Sequence, residues 1–130
     1  MSDSNSNNHA SANGAICWQD LTIDNAEQIR DFYQASLGWV AQSVAMDGYD
    51  DFAMYDSAGN CVAGICHHRG TNEGIPPQWL VYVQVDDLDQ RLKNVLAHGG
   101  KIIREPRPLS GQRCAIIADP AGAVMAICGK

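Results

Sequence analysis

One pattern occurs twice in this chain, about 62 positions apart, and it limits the fold more than any other feature. Ile16 to Ile23 reads as a strand, with Leu21 and Ile23 two apart. Asp24-Asn25-Ala26-Glu27 has the form of a capping box, an acceptor followed three residues later by Glu. Ala26, Ile29, Phe32, Tyr33 and Leu37 then follow at helical spacing, and Gly38 ends the run. Trp39 to Met46 reads as a strand. Asp50 to Tyr55 and Cys61 to His67 read as a hairpin around Ser57-Ala58-Gly59-Asn60. Residues 69–78, rich in Gly, Pro, Thr and Asn, read as a linker.

The order then starts again. Trp79 to Val85 is a strand rich in branched residues. Asp86 opens a helix carrying Leu88, Leu92, Val95 and Leu96, closed by Gly99-Gly100. Lys101 to Arg104 is a short strand that Glu105-Pro106-Arg107-Pro108 breaks. Arg113 to Ala118 and Ala123 to Cys128 form a second hairpin around Asp119-Pro120-Ala121-Gly122, which suits a type I turn. A shift of 62 puts Val85-Asp86-Asp87 on Ile23-Asp24-Asn25 and Gly100 on Gly38; a shift of 63 puts Asp119-x-Ala-Gly on Asp56-x-Ala-Gly. Four strands separate the two helices, where a ferredoxin-like domain has two. The expected fold is therefore α+β: two βαβββ modules, 16–68 and 79–129, forming a curved mixed sheet around a central cleft.

Length fits one domain, residues 15–130, with one core. Residues 1–14, eight of them Ser or Asn, cannot bury enough apolar surface to offset their ordering entropy and read as a disordered tail without the form of a secretory signal. No apolar run approaches the length needed to span a bilayer. Residues 1–68 carry nine acidic groups against Arg30 alone, whereas residues 69–130 carry six acidic and eight basic groups. An acidic chain without a Lys/Arg cluster argues against nucleic acid and membrane partners. The asymmetry itself reads as surface variation or as a complementary contact between subunits. Five cysteines, at 17, 61, 66, 114 and 128, without a C-x-x-C pair, suit buried free thiols in a reducing, cytoplasmic setting.

Strand side chains alternate between faces. Parity puts Ile16, Trp18, Asp20 and Thr22 of the first strand toward the cleft, with Leu80, Tyr82 and Gln84 of the fifth and Val124, Ala126 and Cys128 of the eighth. The repeat puts Cys61, Ala63, Ile65 and His67 of the fourth strand there as well, unless a bulge reverses them. Trp18, Asp20, Phe52, Leu80, Tyr82 and Gln84 are the candidate ligand-binding residues, an apolar and aromatic wall with few polar groups. Arg113 is a further candidate, for an anionic ligand, against the plainer reading of a surface arginine. Asp20 is a candidate general base, with His67 as partner, if an apolar cleft raises its pKa.

Phe32-Tyr33, Leu37-Gly38-Trp39, Gln78 to Val83, Val85-Asp86-Asp87-Leu88, Gly99-Gly100-Lys101-Ile102 and Asp119-Pro120-x-Gly122 stand in an order that resembles the glyoxalase/bleomycin-resistance/dioxygenase (vicinal oxygen chelate) superfamily, in its glyoxalase-like branch. The resemblance covers about residues 16 to 129. It implies the cup fold, and a homodimer, since family members often pair. Metal-dependent members place His, Gln or Glu at four cleft positions, seven residues before the helix-opening position that Asn25 and Asp87 hold here and four after each turn Gly. Here those positions hold Trp18, Leu80, Ala63 and Ala126, none able to coordinate a divalent cation. The expectation is therefore no metal and no cofactor.

Cys66-His67-His68, with Asp50 or Asp51 near, is the one dense group of potential ligands, read here as a polar strand end. The leading functional expectation is a metal-free protein that holds a small organic molecule, by sequestration or for an uncharacterised reaction. The alternatives are a metal-dependent lyase or dioxygenase with displaced ligands, and a non-enzymatic interaction module.

Overall fold

The structure is a computed structural model that describes residues 12–130, Thr71 by its backbone only. The expected tail at residues 1–11 lies outside the described residues. Residues 12–14 differ from expectation because they are tied down. Gly14 N–H donates to the Gln84 carbonyl at 2.7 Å, and Asn13 Oδ1 accepts from the Asp86 N–H at 2.9 Å.

The elements follow the repeat: β1 (Ile16–Ile23), α1 (Ala26–Leu37), β2 (Val40–Ala45), β3 (Asp50–Tyr55), β4 (Cys61–His67), β5 (Trp79–Gln84), α2 (Leu88–Ala97), β6 (Lys101–Leu109), β7 (Gln112–Ala118) and β8 (Val124–Gly129). A short 3-10 turn, Gly70–Asn72, interrupts the segment before β5. The fold is α+β, and two compact units divide it. One is Gln19–Trp79; the other joins the segment up to Trp18 to Leu80–Lys130.

In the first unit the strands hydrogen-bond in the order β2-β3-β4-β1, with β1 and β4 parallel and the rest antiparallel. The core lies between sheet and α1, where Ala26, Phe52, Met54, Ala63 and Ile65 are buried together and Ile23, Ile29, Tyr33 and Trp39 pack against them. Trp79 Nε1 donates to the Tyr33 hydroxyl at 3.0 Å and closes an aromatic group with Trp39. The expected capping box does not form. Asn25 is the cap residue and makes no side-chain cap bond; its amide donates to Gln28 Oε1 instead, and Glu27 turns to His67. Gly38 ends α1 with φ 77°, the left-handed conformation glycine adopts without strain.

In the second unit the order is β5-β8-β7-β6, again with one parallel pair, β5 and β8. Leu88 and Leu92 of α2 bury against Ala115, Ile117 and Ile127. Asp87 caps α2, one residue later than expected, and its side chain accepts the Gln90 N–H. The strand expected to break at Glu105-Pro106 runs on to Leu109 through both prolines, with two register shifts. β6 stands at the end of the strand order, where a missing N–H costs no ladder bond.

The two hairpin turns are copies. Asp56 Oδ1 accepts the Ala58 and Asn60 N–H groups; Asp119 Oδ1 accepts those of Ala121 and Ala123. The strands leaving the turns are not copies. In β7/β8 the register runs unbroken from Ala118↔Val124 to Arg113↔Gly129. In β3/β4 it jumps from Tyr55↔Cys61 to Met54↔Ala63, which leaves Val62 as an extra residue. The Gln19 side chain donates to the Val62 carbonyl, so this backbone acceptor at the bulge keeps a partner. The bulge reverses β4. Ala63 and Ile65 turn to α1, contrary to the expectation from the repeat. After the bulge the offset between modules returns to 62, with Ile65 matching Ile127 and Cys66 matching Cys128.

Candidate functional site

The face turned away from the helix is built in rows across each sheet. In the second unit, Tyr82 pairs with Ala126, and Ala126 with Ile116; Gln84 pairs with Cys128, and Cys128 with Cys114. Paired strand residues share a face. Leu80, Tyr82, Ile116, Ala126, Cys114 and Cys128 are all buried, so this face is a packed apolar floor. Gln84 is half-buried at its edge and donates across β8 to Gln112 Oε1 at 2.7 Å. Trp18 is half-buried in the same unit, next to Cys17, whose thiol donates to the Tyr82 carbonyl. Burial raises the Cys17 thiol pKa, and a backbone hydrogen bond partly offsets this.

Cys114 and Cys128 are joined as a disulfide. This corrects the expectation of five free thiols. Cys17, Cys61 and Cys66 remain free. The spacing of 14 residues carries no pairing signal by itself. Only the β7/β8 register brings the two sulfurs face to face.

In the first unit the matching row is Thr22, Cys66 and Asp51. Thr22 pairs with Cys66, and Asp51 stands one residue beyond the Phe52↔Ile65 pair. Burial pushes the Cys66 thiol pKa far up, and the charges of Asp20 and Asp51 push it further. Asp20, half-buried, therefore acts on Cys66, where the sequence had paired it with His67. Asp51 is buried and accepts the His67 backbone N–H at 2.8 Å; His67 Nδ1 lies 3.3 Å from the same oxygen. His67 Nε2 lies 3.1 Å from Glu27 Oε1 on α1. A neutral imidazole has one donor, so both contacts are satisfied together only when both ring nitrogens carry hydrogen. His67 thus holds strand end to helix, and it is not among the cleft-facing groups expected for β4. A backbone hydrogen bond, then the bond to His67, lowers the Glu27 pKa. Sequence reasoning had placed Asp50 or Asp51 near this strand end but missed Glu27, which the Asp24–Glu27 spacing had assigned to a cap.

Two other candidates face their helices. Phe52 is buried in the core, with the Arg30 guanidinium 4.6 Å from its ring centroid. It lines a polar hollow of about 480 Å³ with Glu27, Arg30, Ser43 and Tyr49. Arg113, a candidate for an anion against the plainer reading of a surface arginine, pairs with Asp89 of α2 at 3.2 Å. His68 is likewise engaged, by Asp24 at 3.2 Å and by the Gly74 N–H. Among the described residues, no three His, Cys, Asp or Glu are grouped to hold a metal ion, Cys66-His67-His68 included.

At the four positions read from the resemblance, Leu80 and Ala126 are fully buried and Trp18 is half-buried. The fourth, Ala63, lies in the α1 core; the bulge puts Gly64 on the face opposite.

The sequence profile of the Glyoxalase/Bleomycin resistance protein/Dioxygenase superfamily matches residues 9–127, and the chain belongs to that family. The anthracycline biosynthesis protein DnrV of Streptomyces peucetius is 33% identical over 132 aligned positions, covering 92% of this chain and 48% of DnrV. The chain thus spans about half the length of the curated relatives it matches. Among solved structures, hypothetical protein BH1468 from Bacillus halodurans C-125 is similar with a TM-score of 0.58 at 14% identity, over 92% of this chain and 96% of that one. Methylmalonyl-CoA epimerase from Mycobacterium tuberculosis is similar with a TM-score of 0.54 at 14% identity, over 91% of each chain. Both likenesses speak for the fold alone. Among the described residues no helix is long and apolar enough to cross a membrane.

Proposed function

We propose that this chain is a small-molecule-binding member of its superfamily that works without the metal centre of the metal-dependent members. The donor set carries the reading. Trp18, Leu80 and Ala126 occupy three of the four positions, and Ala63 or its bulge-shifted neighbour Gly64 the fourth. None offers an imidazole or carboxylate. Leu80 and Tyr82 form the floor, and the half-buried Trp18 and Gln84 are what a ligand meets first. The ligand class is an organic molecule with a flat apolar body and few polar groups. An anthracycline is the probe that the similarity to DnrV recommends. Asp20 stays the candidate base on the first unit, where Asp51 and Cys66 accompany it. The reading puts the protein in the cytoplasm and gives it neither nucleic acid nor membrane as partner.

Titration of tag-free protein with an anthracycline in EDTA, followed by the probe's own fluorescence, tests this. Saturable binding is expected, unchanged by chelator. Gln84→Ala and Trp18→Ala should each weaken it about tenfold, about 1.4 kcal/mol. Probe at 100 times its Kd should raise stability by about 2.7 kcal/mol. Binding that disappears in EDTA and returns with one equivalent of zinc, nickel or manganese would overturn the reading.

A further inference from the structure

We propose that Cys114–Cys128 is a thiol–disulfide switch that sets the state of the face carrying Tyr82 and Gln84. The inference rests on the small-molecule reading of that face.

The first observation is position. The bond joins the row that begins at Gln84, one row along from Tyr82, Ala126 and Ile116. Gln84 reaches across the same strand to Gln112, two residues from Cys114. Both sulfurs belong to residues only 3% exposed, within a floor whose neighbours Ala126 and Ile116 have 0% and 1% of their surface free. Packing that tight cannot absorb a change without moving side chains. Two separate thiols take more room than a bonded pair, so reduction must displace the row.

The second observation is that the module is built without the bond elsewhere in the same chain. Asp51 and Cys66 occupy the matching positions in the first unit, beside Thr22 where the second has Gln84. That hairpin stays paired across its bulge without a covalent link, and β7/β8 holds six register pairs of its own. Folding alone therefore does not explain the disulfide. Cys66 cannot exchange, since burial and two carboxylates keep its sulfur protonated, and only a thiolate attacks a disulfide. The duplicated row thus has one cross-linked pair and one silent position.

The co-reactant is a low-molecular-weight thiol. Its thiolate attacks one sulfur, the Cys114–Cys128 bond breaks, and the released sulfur takes a proton. A second thiol then attacks the mixed disulfide. The protein leaves as two thiols, and two molecules of the small thiol leave as their disulfide, having given up two electrons. Because the pair is buried, exchange waits on opening of the face, and a ligand on Gln84 should slow it.

The test equilibrates the full chain in glutathione buffers of graded ratio, then alkylates it under denaturing conditions and weighs it. The expected result, read on the peptides that carry Cys114 and Cys128 and apart from any glutathione adduct on exposed Cys61, is no label on the pair at the oxidised end and two at the reduced end. In parallel, 15N spectra and anthracycline titrations compare the two forms. Tyr82 and Gln84 amides should move, and the probe Kd should change at least about tenfold. Cys114→Ser with Cys128→Ser should abolish the redox response; the wild-type comparison stands even if that variant folds poorly. Both members of the pair labelled at every ratio, neither labelled at any ratio, or unchanged amides and Kd between the forms, would overturn the switch. Amides that move while neither form binds the probe would overturn the small-molecule reading and leave the redox change of the face established.

Discussion

Two matching cross-strand positions, one per module, hold different chemistry. Asp51 and Cys66 stand where the second module has Cys114 and Cys128. The strand order and the turn hydrogen bonds are the same in both units. The difference lies in the strand leaving each turn. One extra residue, Val62, reverses β4 before it reaches Cys66, and Gln19 holds the displaced carbonyl. A duplicated frame can thus carry a polar network of Asp51, His67 and Glu27 on one side and a covalent cross-link on the other. The end of β8 shows the same divergence. Gly129 lies so close to β5 that a Cβ would come within 2.6 Å of the Val85 carbonyl. The matching position in the first unit carries His67, the residue that ties strand to helix.

The largest effect should come from side chains that the bulge turned inward. Ile65→Ala is expected to cost about 3 kcal/mol in urea denaturation, in the range for a fully buried aliphatic. Val62→Ala, at the bulge, should cost less than about 1 kcal/mol. Equal losses would mean that β4 keeps the unbulged faces.

Removing the cross-link comes next. Cys114→Ser with Cys128→Ser should keep the far-UV circular dichroism while lowering stability by about 3 kcal/mol, the chain-entropy figure for a loop of this size, or more, because two hydroxyls are then buried. The converse change, Asp51→Cys, puts a thiol opposite Cys66, and mass spectrometry after oxidation should find a second disulfide. Loss of the folded spectrum in the serine variant would make the bond a structural requirement and erase the contrast between modules.

A smaller effect concerns Cys66. Asp51→Asn removes one of the charges that raise its pKa, so its rate of alkylation at alkaline pH should rise. An unchanged pH profile would mean that burial and Asp20 suppress the thiol without help from Asp51.

The smallest is at Glu27. Its pKa is lower folded than unfolded, so its contribution to stability is complete above the ordinary carboxylate value, about 4.3, and fades as pH falls through the folded value. Glu27→Gln should therefore be less stable than wild type near neutral pH, with the gap closing in acid. A gap that persists unchanged below the carboxylate range would assign Glu27 a role independent of its charge.

The repeat was legible because turn residues and helix periods carry their own local signals. Asp56-x-Ala-Gly and Asp119-x-Ala-Gly each supply an acceptor and a left-handed glycine, whatever the packing. The bulge was not legible. Val62 is an ordinary strand residue, and nothing local marks it as the unpaired one. That single residue accounts for the corrected faces of Ala63, Ile65 and His67. The disulfide was hidden for a similar reason, since it depends on register rather than spacing. Arg113 read as free because its partner, Asp89, lies on a helix 24 residues away in sequence. Leu80, Tyr82 and Gln84 were readable because the fifth strand alternates without interruption, and the structure pairs Tyr82 and Gln84 into rows as that alternation implies.

The most direct test is elemental analysis of tag-free protein, taken through gel filtration after incubation with zinc, nickel, manganese and iron. The account predicts substoichiometric metal in every case and anthracycline binding that does not depend on it. One tightly held metal per chain, lost together with ligand binding on chelation, would contradict it.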